Sequence, residues 1–408
     1  MKTFQEKLAD YAKLAVKMGL NVQPNQVCYI RAEVGTTEFV QLVTKEAYLA
    51  GAKQVHINYY DAVIERTRFE LAPDESFLEF PDWERETLEQ LRDQGACFLV
   101  ISSTDPDLLG GIPPERVAND KKVQGKALEN WYSCINANKN SWTVIGAASE
   151  GWARKVFPND ENCVEKLWDE IFEVCRINTP DPLQAWIQHK ADLRKRLTYL
   201  NEKKYTALHY TAKGTDLTVG LHPTHVWEGV DSENRHGHTF TANMPTEEVF
   251  TVPDRNRVNG VVASTKPLSY AGSIIDNFSL RFKDGRVVEV KAEQGEELLK
   301  TLIETDEGSH YLGEAALVSY DSPISKSNIL FYNTLFDENA SNHFAVGSGY
   351  PSCVEGGTEM SKEELEAVGV NQSLTHVDFM VGAADMNIDG ILPDGTREPI
   401  FRNGNWAF

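Results

Sequence analysis

The chain has 408 residues, and its 61 acidic side chains outnumber 40 basic ones, which gives a formal net charge of −21 at pH 7. This length allows two domains, each with a sizeable core. The negative charge argues against nucleic acids and anionic membrane surfaces as partners, because phosphate binding needs a basic surface. These values fit a soluble enzyme.

The N-terminal stretch has the spacing of an amphipathic helix. Phe4, Leu8, Tyr11 and Ala15 recur at helical intervals, with Lys and Asp between them. A secretory signal would need an unbroken apolar run and a small-residue cleavage site, and this stretch has neither. No segment has the roughly 20 apolar residues of a membrane helix. We therefore expect a cytoplasmic protein.

The first third of the chain alternates between strand-like and helix-like stretches. Residues 27–34 and 54–61 are predicted strands, and residues 37–52 between them have a helical pattern. Residues 96–104 and 141–149 are continuous apolar runs, typical of strands covered on both faces. The pattern predicts an α/β domain with a parallel sheet and crossover helices.

Sheets of this kind often bind a dinucleotide, but the required glycine loop is missing. The turn after the first predicted strand reads GTTEF, residues 35–39, rather than G-x-G-x-x-G. The Gly-Ser-Gly of residues 347–349 neither follows a clear strand nor opens a helix. The sequence therefore does not predict a nucleotide cofactor.

The six cysteines are predicted to be free thiols. They form no C-x-x-C pair and are too sparse for a disulfide scaffold in a chain of this length. Cys28 and Cys97 fall inside apolar strand-like runs, where cysteine behaves as a small buried hydrophobe. Cys353 lies near the polar C-terminal motifs, so a reactive thiol is the alternative at that position.

Two prolines mark the predicted domain boundary. Residues 160–204 have a helical pattern except at NTPDP, residues 178–182, where proline stops one helix and starts the next. We predict an N-terminal α/β domain over residues 1–180 and a C-terminal domain over residues 181–408. The second half is rich in strand patterns, and the Asp-Gly at residues 284–285 marks a hairpin turn. A mixed α/β fold is therefore predicted for the C-terminal domain.

Side chains that bind divalent metals concentrate near the C-terminus. Such ions take carboxylate oxygens and imidazole nitrogens, and catalytic sites often combine these groups from separate loops. His376 and Asp378 fall in an apolar run bounded by Gly382, so they are predicted to share one face of a strand. For this motif alone, an ordinary polar pair on a strand surface is the alternative. The candidates in this region are Glu314, Asp337, Glu338, His343, Tyr350, His376 and Asp378.

Four other histidines are predicted to be surface or packing residues. His222 and His225 have a helical metal-pair spacing but flank Pro223, which interrupts a helix. His236 and His238 only alternate as strand residues do. The predicted metal site includes none of these four.

Four motifs occur in order in the second half of the chain: NMPTEEVFT (residues 243–251), GEAALV (313–318), FYNTLFDENASNHFAVGSGY (331–350) and LTHVDFMVG (374–382). Together they resemble the motifs of the M29 metallopeptidases, the group of aminopeptidase T, aminopeptidase S and PepS. The likeness extends over the whole chain, to the closing FRNGNWAF. It implies a metal-dependent aminopeptidase that acts on peptides with a free N-terminus and forms a homodimer.

The resemblance also implies a site for two divalent ions in the C-terminal domain. A carboxylate that bridges the ions fits such a site, and Glu314 is the candidate for it. Two ions about 3.5–4 Å apart activate a shared water and polarise the substrate carbonyl. Their identity stays open among Zn, Co, Mn and Mg, because His with carboxylates suits several ions. The implied ligands are Glu248, Glu314, Glu338, His343, His376 and Asp378.

The resemblance implies catalytic roles as well. Tyr350 matches the tyrosine of the family's G-x-G-Y motif and is expected to donate a hydrogen bond to the oxyanion of the transition state. Two candidates for the general base stay open, Glu314 and Glu247. The alternative for Glu247 is a structural charge beside the ligand Glu248.

Two functions of other classes stay open from the residues alone. A two-metal phosphoesterase would use similar ligands but needs Arg or Lys to bind phosphate, and Lys326 is the only basic residue of the site region before Lys362. A metal-stabilised binding module would close its coordination sphere. Metal-dependent hydrolysis of aminoacyl esters, but not phosphate esters, would distinguish the aminopeptidase from both.

Overall fold

The computed structural model describes residues 2–270 and 273–408. Within these ranges, backbone contacts define two compact units. The domain boundary predicted from the sequence, between residues 180 and 181, remains a prediction. The first unit comprises Met1–Gln188 and Asp231–Pro245, and the second comprises His189–Val230 and Thr246–Phe408.

Sequence signals mark several helix ends. The helices are α1 (Phe4–Leu14), α2 (Thr37–Leu49), α3 (Ala62–Leu71), α4 (Asp82–Asp93), α5 (Pro114–Ala127), α6 (Glu129–Asn136), α7 (Glu150–Val156), α8 (Cys163–Val174), α9 (Pro182–Lys203), α10 (Glu296–Ile303), α11 (Pro323–Ser327), α12 (Thr334–Asp337) and α13 (Lys362–Ala367). α1 begins with a capping box, in which the side chains of Thr3 and Glu6 each accept a hydrogen bond from the other's backbone N–H. α9 begins at Pro182, in the predicted break. No helix within the described ranges combines the length and hydropathy that a bilayer crossing requires.

The strands separate into a parallel group and antiparallel groups. They are β1 (Val27–Glu33), β2 (Gln54–Tyr60), β3 (Cys97–Ser102), β4 (Trp142–Gly146), β5 (Ala207–Ala212), β6 (Thr215–Leu221), β7 (Ser232–Glu233), β8 (Thr239–Phe240), β9 (Asn243–Met244), β10 (Glu248–Thr251), β11 (Pro253–Ala263), β12 (Leu268–Tyr270), β13 (Ser273–Lys283), β14 (Arg286–Gln294), β15 (Leu312–Val318), β16 (His343–Gly347), β17 (His376–Met380), β18 (Asn387–Ile391), β19 (Arg397–Arg402) and β20 (Asn405–Trp406).

The first unit contains the predicted parallel sheet. Its strand order is β2-β1-β3-β4-β9, and every adjacent pair is parallel. β3 is buried along most of its length, which explains its continuous apolar sequence. Helical aromatic residues pack together beside the sheet: Tyr11 stacks on Phe39 at 5.1 Å, and Phe172 meets Tyr11 edge-on. Phe98 of β3 packs against Trp131 of α6. The α/β prediction is confirmed.

The cysteines carry free thiols. Cys28 and Cys97 face each other on β1 and β3 and are fully buried, as predicted. Cys353 is fully buried too, and burial raises the pKa of its thiol well above the ordinary value. A raised pKa lowers the fraction of thiolate, which is the reactive form. The structure therefore favours an unreactive, buried thiol at Cys353 over the reactive alternative.

A large antiparallel sheet and a small one form the second unit. The large sheet has the order β12-β13-β11-β6-β5-β18-β19-β20, with β14 paired to β13. Asp284 and Gly285 have φ values of 49° and 84° in the β13–β14 turn, which is the left-handed conformation that two-residue hairpins need, as predicted. The small sheet has the order β10-β15-β16-β17.

One hydrophobic core joins the two sheets of the second unit. Tyr210 of β5 meets Phe344 of β16 at 4.9 Å, and Phe278 of β13 meets Phe379 of β17 at 5.7 Å. Burial of such rings is the main stabilising contribution in a core of this kind. The small sheet therefore rests on the large one through one of its faces.

Candidate metal centre

The small sheet has one apolar face and one polar face, because residues two apart on a strand point to the same side. Val249, Leu317, Phe344 and Phe379 lie in the core and are at most 2% exposed. The opposite face carries the acidic and imidazole side chains that the sequence singled out. They are Glu248 on β10, Glu314 on β15, His343 on β16, and His376 and Asp378 on β17.

The strand register aligns these side chains across the sheet. Glu314 pairs with Ala345, and Ala345 pairs with Asp378, so a single methyl group separates the two acidic residues along this row. In the next row His343 pairs with Ala316. Because both alanines are small, they leave room for the larger polar side chains beside them to approach one another.

A β-bulge at Gly313 turns Glu314 toward this face. Leu312 and Glu314 pair with consecutive residues of β16, so β15 has one extra residue here. Without that residue Leu312 and Glu314 would share a face, whereas Leu312 lies in the apolar core. A Cβ atom on Gly313 would lie 2.3 Å from the carbonyl oxygens of Gly347 and Ser348. The bulge therefore requires glycine.

Within the described residues, the polar side chains form two clusters that share Glu314. The first cluster is Glu248, Glu314 and His343, and the second cluster is Glu314, His376 and Asp378. Nε2 of His343 lies 3.0 Å from Oε2 of Glu248 and 3.6 Å from Oε1 of Glu314. Nε2 of His376 lies 3.3 Å from Oε2 of Glu314 and 3.4 Å from Oδ1 of Asp378. Glu314 thus presents one oxygen to each cluster.

Backbone carbonyls orient both imidazoles. Nδ1 of His343 lies 3.0 Å from the carbonyl oxygen of Ser341, and Nδ1 of His376 lies 2.7 Å from that of Ser348. A proton on each Nδ1 donates to these carbonyls and leaves Nε2 as the ligand atom, an arrangement common among metal-binding histidines. Both Nε2 atoms face the carboxylates of the clusters.

The clusters balance buried charges of opposite sign. Burial raises the pKa of the Glu248 carboxyl. Burial also acts to raise the pKa of Glu314, but hydrogen bonds from His343 and His376 lower it to about 2. Burial would lower the pKa values of the two imidazoles, but the neighbouring carboxylates raise both well above the ordinary value. Divalent cations supply the same compensation for buried carboxylates.

The donor set fits divalent metal ions. Each cluster offers three ligand atoms, carboxylate oxygens and imidazole nitrogen, within 4.8 Å of one another. Three protein ligands with a position left for water or substrate are usual in catalytic sites. The shared carboxylate of Glu314 suits two neighbouring ions.

Glu338 lies near the clusters but belongs to neither of them. It is on a single 3₁₀ turn after α12. Burial raises the pKa of its carboxyl well above the ordinary value, and the nearby charges of Glu248 and Asp378 raise it further. Because Glu338 lies on this turn, the position of its side chain depends on a loop rather than on the sheet.

Asp337 has a structural position. Its carboxylate accepts hydrogen bonds from the backbone N–H groups of Phe331, at 2.8 Å, and Asn333, at 3.0 Å. These bonds hold the loop before α12. Asp337 was a candidate metal ligand in the sequence. In the structure its carboxylate stabilises the loop and belongs to neither cluster.

Tyr350 lies beside the second cluster. Its hydroxyl oxygen is 3.5 Å from Nε2 of His376, and the two ring centres are 4.9 Å apart. Phe250 packs against the tyrosine ring at 5.6 Å. Burial, followed by the charges of Glu314 and Asp378, raises the pKa of the hydroxyl well above the ordinary value. Tyr350 therefore keeps its proton and can donate it in a hydrogen bond.

Glu247 is buried next to Glu248 but has different neighbours. Its backbone N–H donates to Oδ1 of Asn339 at 2.7 Å, and its Oε2 lies 3.7 Å from Nε2 of His189. The imidazole of His189 is also 2.7 Å from the carbonyl oxygen of Thr246. These contacts connect Glu247 with α9.

Two asparagines that the sequence analysis did not single out support the site. Asn339 binds the backbone at Glu247, and the Asn342 side chain accepts a hydrogen bond from the N–H of Val318 at the end of β15. The sequence signal for both was their place in the NASNH run, residues 339–343, which ends at His343. Buried amides bonded to backbone are typical supports of a rigid site.

The four histidines predicted to be surface or packing residues lie between strands: His222 and His225 follow β6, and His236 and His238 lie between β7 and β8. Nε2 of His222 is 2.6 Å from the carbonyl oxygen of Val368, and Nδ1 of His225 is 2.7 Å from that of His222. The rings of His236 and His238 lie 6.4 Å apart.

Known proteins match this chain over its full length. The family model described as thermophilic metalloprotease (M29) matches residues 4–406. The chain belongs to the M29 family of metalloproteases. This M29 protein is 57% identical to aminopeptidase AmpS of Bacillus subtilis, with 100% of both chains covered. It is 48% identical to aminopeptidase 2 of Geobacillus stearothermophilus, covering 100% of this chain and 99% of the relative.

A solved structure agrees with the fold. Wild-type AmpT from Thermus thermophilus has a TM-score of 0.94 and 40% sequence identity with the M29 chain, and 100% of both chains is covered. The relatives are aminopeptidases by name, so the sequence-based assignment to a metal-dependent aminopeptidase is confirmed at the level of enzyme class. Neither the phosphoesterase nor the binding module is supported.

Proposed function

We propose that this M29 enzyme removes the N-terminal residue from peptides and that two divalent ions are held by the two clusters. The observation that carries the proposal is the position of Glu314, which lies between His343 and His376 with one oxygen toward each. A carboxylate shared in this way is suited to bridge two ions. The proposed ligands are Glu248, Glu314, Glu338, His343, His376 and Asp378.

Glu338 is retained as a ligand on electrostatic grounds. Its carboxyl is buried near Glu248 and Asp378, and three acidic groups in one place repel each other unless a cation lies between them. The turn that carries Glu338 contacts β17, the strand that carries His376 and Asp378.

The chemistry divides between the metal and the protein. When bound, paired divalent ions lower the pKa of a water and polarise a carbonyl. The Tyr350 hydroxyl is proposed to donate a hydrogen bond to the carbonyl oxygen as its negative charge grows. The buried carboxylates at the cluster edge favour a substrate end that carries an amino group over one that carries a carboxylate.

The proton acceptor is proposed to be Glu314 or Glu247. Glu314 lies within both clusters, which favours it on position. Glu247 adjoins the ligand Glu248, but its carboxylate lies 3.7 Å from the imidazole of His189, which favours a structural role.

Three further properties belong to the proposal. The ions are Zn, Co, Mn or Mg, because mixed imidazole and carboxylate ligands accept each of them. The enzyme is cytoplasmic, and it is a homodimer. Gel filtration over a wide concentration range tests the dimer, and elution at the monomer position throughout would exclude it.

The deciding experiment combines elemental analysis with a panel of substrates. Aminoacyl anilides, an N-acetylated aminoacyl anilide and a phosphate ester are offered before chelation, after chelation and after metal return. We expect two ions per chain and metal-dependent cleavage of the free aminoacyl anilides alone. Cleavage of the acetylated anilide at an equal rate would contradict the aminopeptidase, and cleavage of the phosphate ester would favour the phosphoesterase.

A further inference from the structure

A cleft opens at the edge of the second cluster. It has a volume of about 70 Å³, and its wall includes Glu338 and Asp378. This volume is below the roughly 300–1,000 Å³ typical of pockets for drug-sized ligands, so the cleft suits one side chain rather than a whole ligand. A group held at the clusters would therefore have this space directly beside it.

The loop before α12 forms one wall of the cleft, and its shape is fixed. Tyr332 lies in this wall with a φ of 54°, a left-handed conformation that is unusual for a bulky residue. Asp337 holds the loop on both sides of Tyr332 by accepting the N–H groups of Phe331 and Asn333. Unfavourable backbone conformations that the surroundings maintain are concentrated at functional sites. Tyr332 is thus held in place by its own loop.

Another part of the wall is apolar. Leu268 and Met380 line it and are 7% and 5% exposed. The N–H of Thr265 donates to the carbonyl oxygen of Met380 at 2.9 Å, which joins the chain leading to Leu268 to the end of β17. Leu268 also pairs with Ile275 in the β12–β13 hairpin. This wall is therefore attached to the strand that carries Asp378.

The lining limits which side chains the cleft accepts. Leu268, Met380 and Tyr332 offer apolar surface. Asp337 accepts hydrogen bonds from backbone N–H groups, and Glu338 and Asp378 lie at the cluster edge, where they are proposed to hold the ions. A charged side chain would lose its hydration on entering this space, whereas an uncharged side chain would bury apolar surface.

We propose that this cleft receives the side chain of the substrate's first residue, that it selects uncharged side chains, and that Tyr332 sets the size it accepts. This inference rests on the proposed aminopeptidase function. Leucine and methionine are expected to be cleaved well at the first position, and aspartate and glutamate poorly.

The test compares variants on aminoacyl anilides that differ only in the first residue. Tyr332→Gly removes the ring and keeps a backbone that tolerates a positive φ. We expect the ratio of kcat/KM for tryptophan over alanine anilide to rise about tenfold or more, as pocket changes of this size do. Tyr332→Phe is the matched control, because it keeps the ring and should leave the ratio unchanged.

A second variant keeps the test independent of loop folding. Ser269 is exposed at the cleft edge on β12, so Ser269→Phe should narrow the cleft without disturbing the core. We expect it to lower the same ratio. Metal content measured in parallel should stay at the wild-type value in all variants.

The outcomes separate the two proposals. An unchanged first-residue profile in both variants would overturn the assignment of the cleft. A shift that follows the second residue, measured on Leu-X amides, would also overturn it, because the cleft would then hold the departing peptide. A wild-type enzyme that cleaves no aminoacyl anilide with metal present would refute the proposed function itself.

Discussion

The hydroxyl of Tyr350 lies 3.5 Å from Nε2 of His376, and the two rings pack at 4.9 Å. This contact places a hydrogen-bond donor beside the second cluster without using the tyrosine as part of it. The arrangement separates His376, a proposed metal ligand, from Tyr350, the proposed donor to an oxyanion.

Replacement of Tyr350 by phenylalanine is expected to lower kcat by a factor of about 100 to 1,000, as the loss of one oxyanion donor does elsewhere. The ring packing against Phe250 is retained, so metal content should not change. Steady-state kinetics and elemental analysis of the same preparation check this. Parallel losses in activity and metal content would contradict the assigned role.

Replacement of Glu314 by glutamine is expected to remove more metal than replacement of Asp378 by asparagine. Glu314 belongs to both clusters, whereas Asp378 belongs to one. Ions per chain, measured after dialysis against the same metal buffer, test the difference. Equal losses in the two variants would show that Glu314 is not shared.

Removal of the metals is expected to lower the melting temperature. An ion bound at 100 times its dissociation constant stabilises the folded state by about 2.7 kcal/mol. Thermal unfolding before chelation, after chelation and after metal return measures the effect. The Glu314→Gln variant is the control, because chelation should change its melting temperature less. A wild-type curve that chelation leaves in place would contradict metal binding at the buried clusters.

Replacement of Gly313 by alanine is expected to destabilise the second unit by about 1–3 kcal/mol, a typical cost of overpacking. The added Cβ would meet two carbonyl oxygens at 2.3 Å. Metal affinity should fall too, because the bulge orients Glu314. Gly125→Ala in α5 is the control, since no atom lies within 4 Å of its Cβ and alanine favours a helix. Similar melting temperatures for the two variants would contradict the requirement for glycine in the bulge.

Replacement of Glu247 by glutamine is expected to leave kcat nearly unchanged and to lower stability by about 1–3 kcal/mol, because a buried polar contact is altered. The basis is the 3.7 Å separation between its carboxylate and His189. Kinetics and thermal unfolding of the variant are compared with those of His189→Gln, which alters the same contact. A fall in kcat of about 100-fold or more would instead assign the general base to Glu247.

Local sequence patterns predicted much of the fold and part of the candidate site. Alternation of strand and helix signals predicted the parallel sheet, and the Asp284-Gly285 pair predicted a hairpin, because both depend on neighbours in the chain. The spacing of His376 and Asp378 on one strand likewise placed them on one face. The M29 motifs extended this prediction to candidate ligands on the other strands.

The amino-acid sequence by itself determined the enzyme family, the parallel sheet and the residue types of the candidate metal site, since these follow from short-range periodicity and motif order. Only the tertiary structure decided that Glu314 faces both imidazoles, that Asp337 braces a loop and that Glu247 meets His189. Those outcomes depend on a β-bulge, on strand register and on contacts between segments far apart in the chain. A linear pattern does not encode these distances.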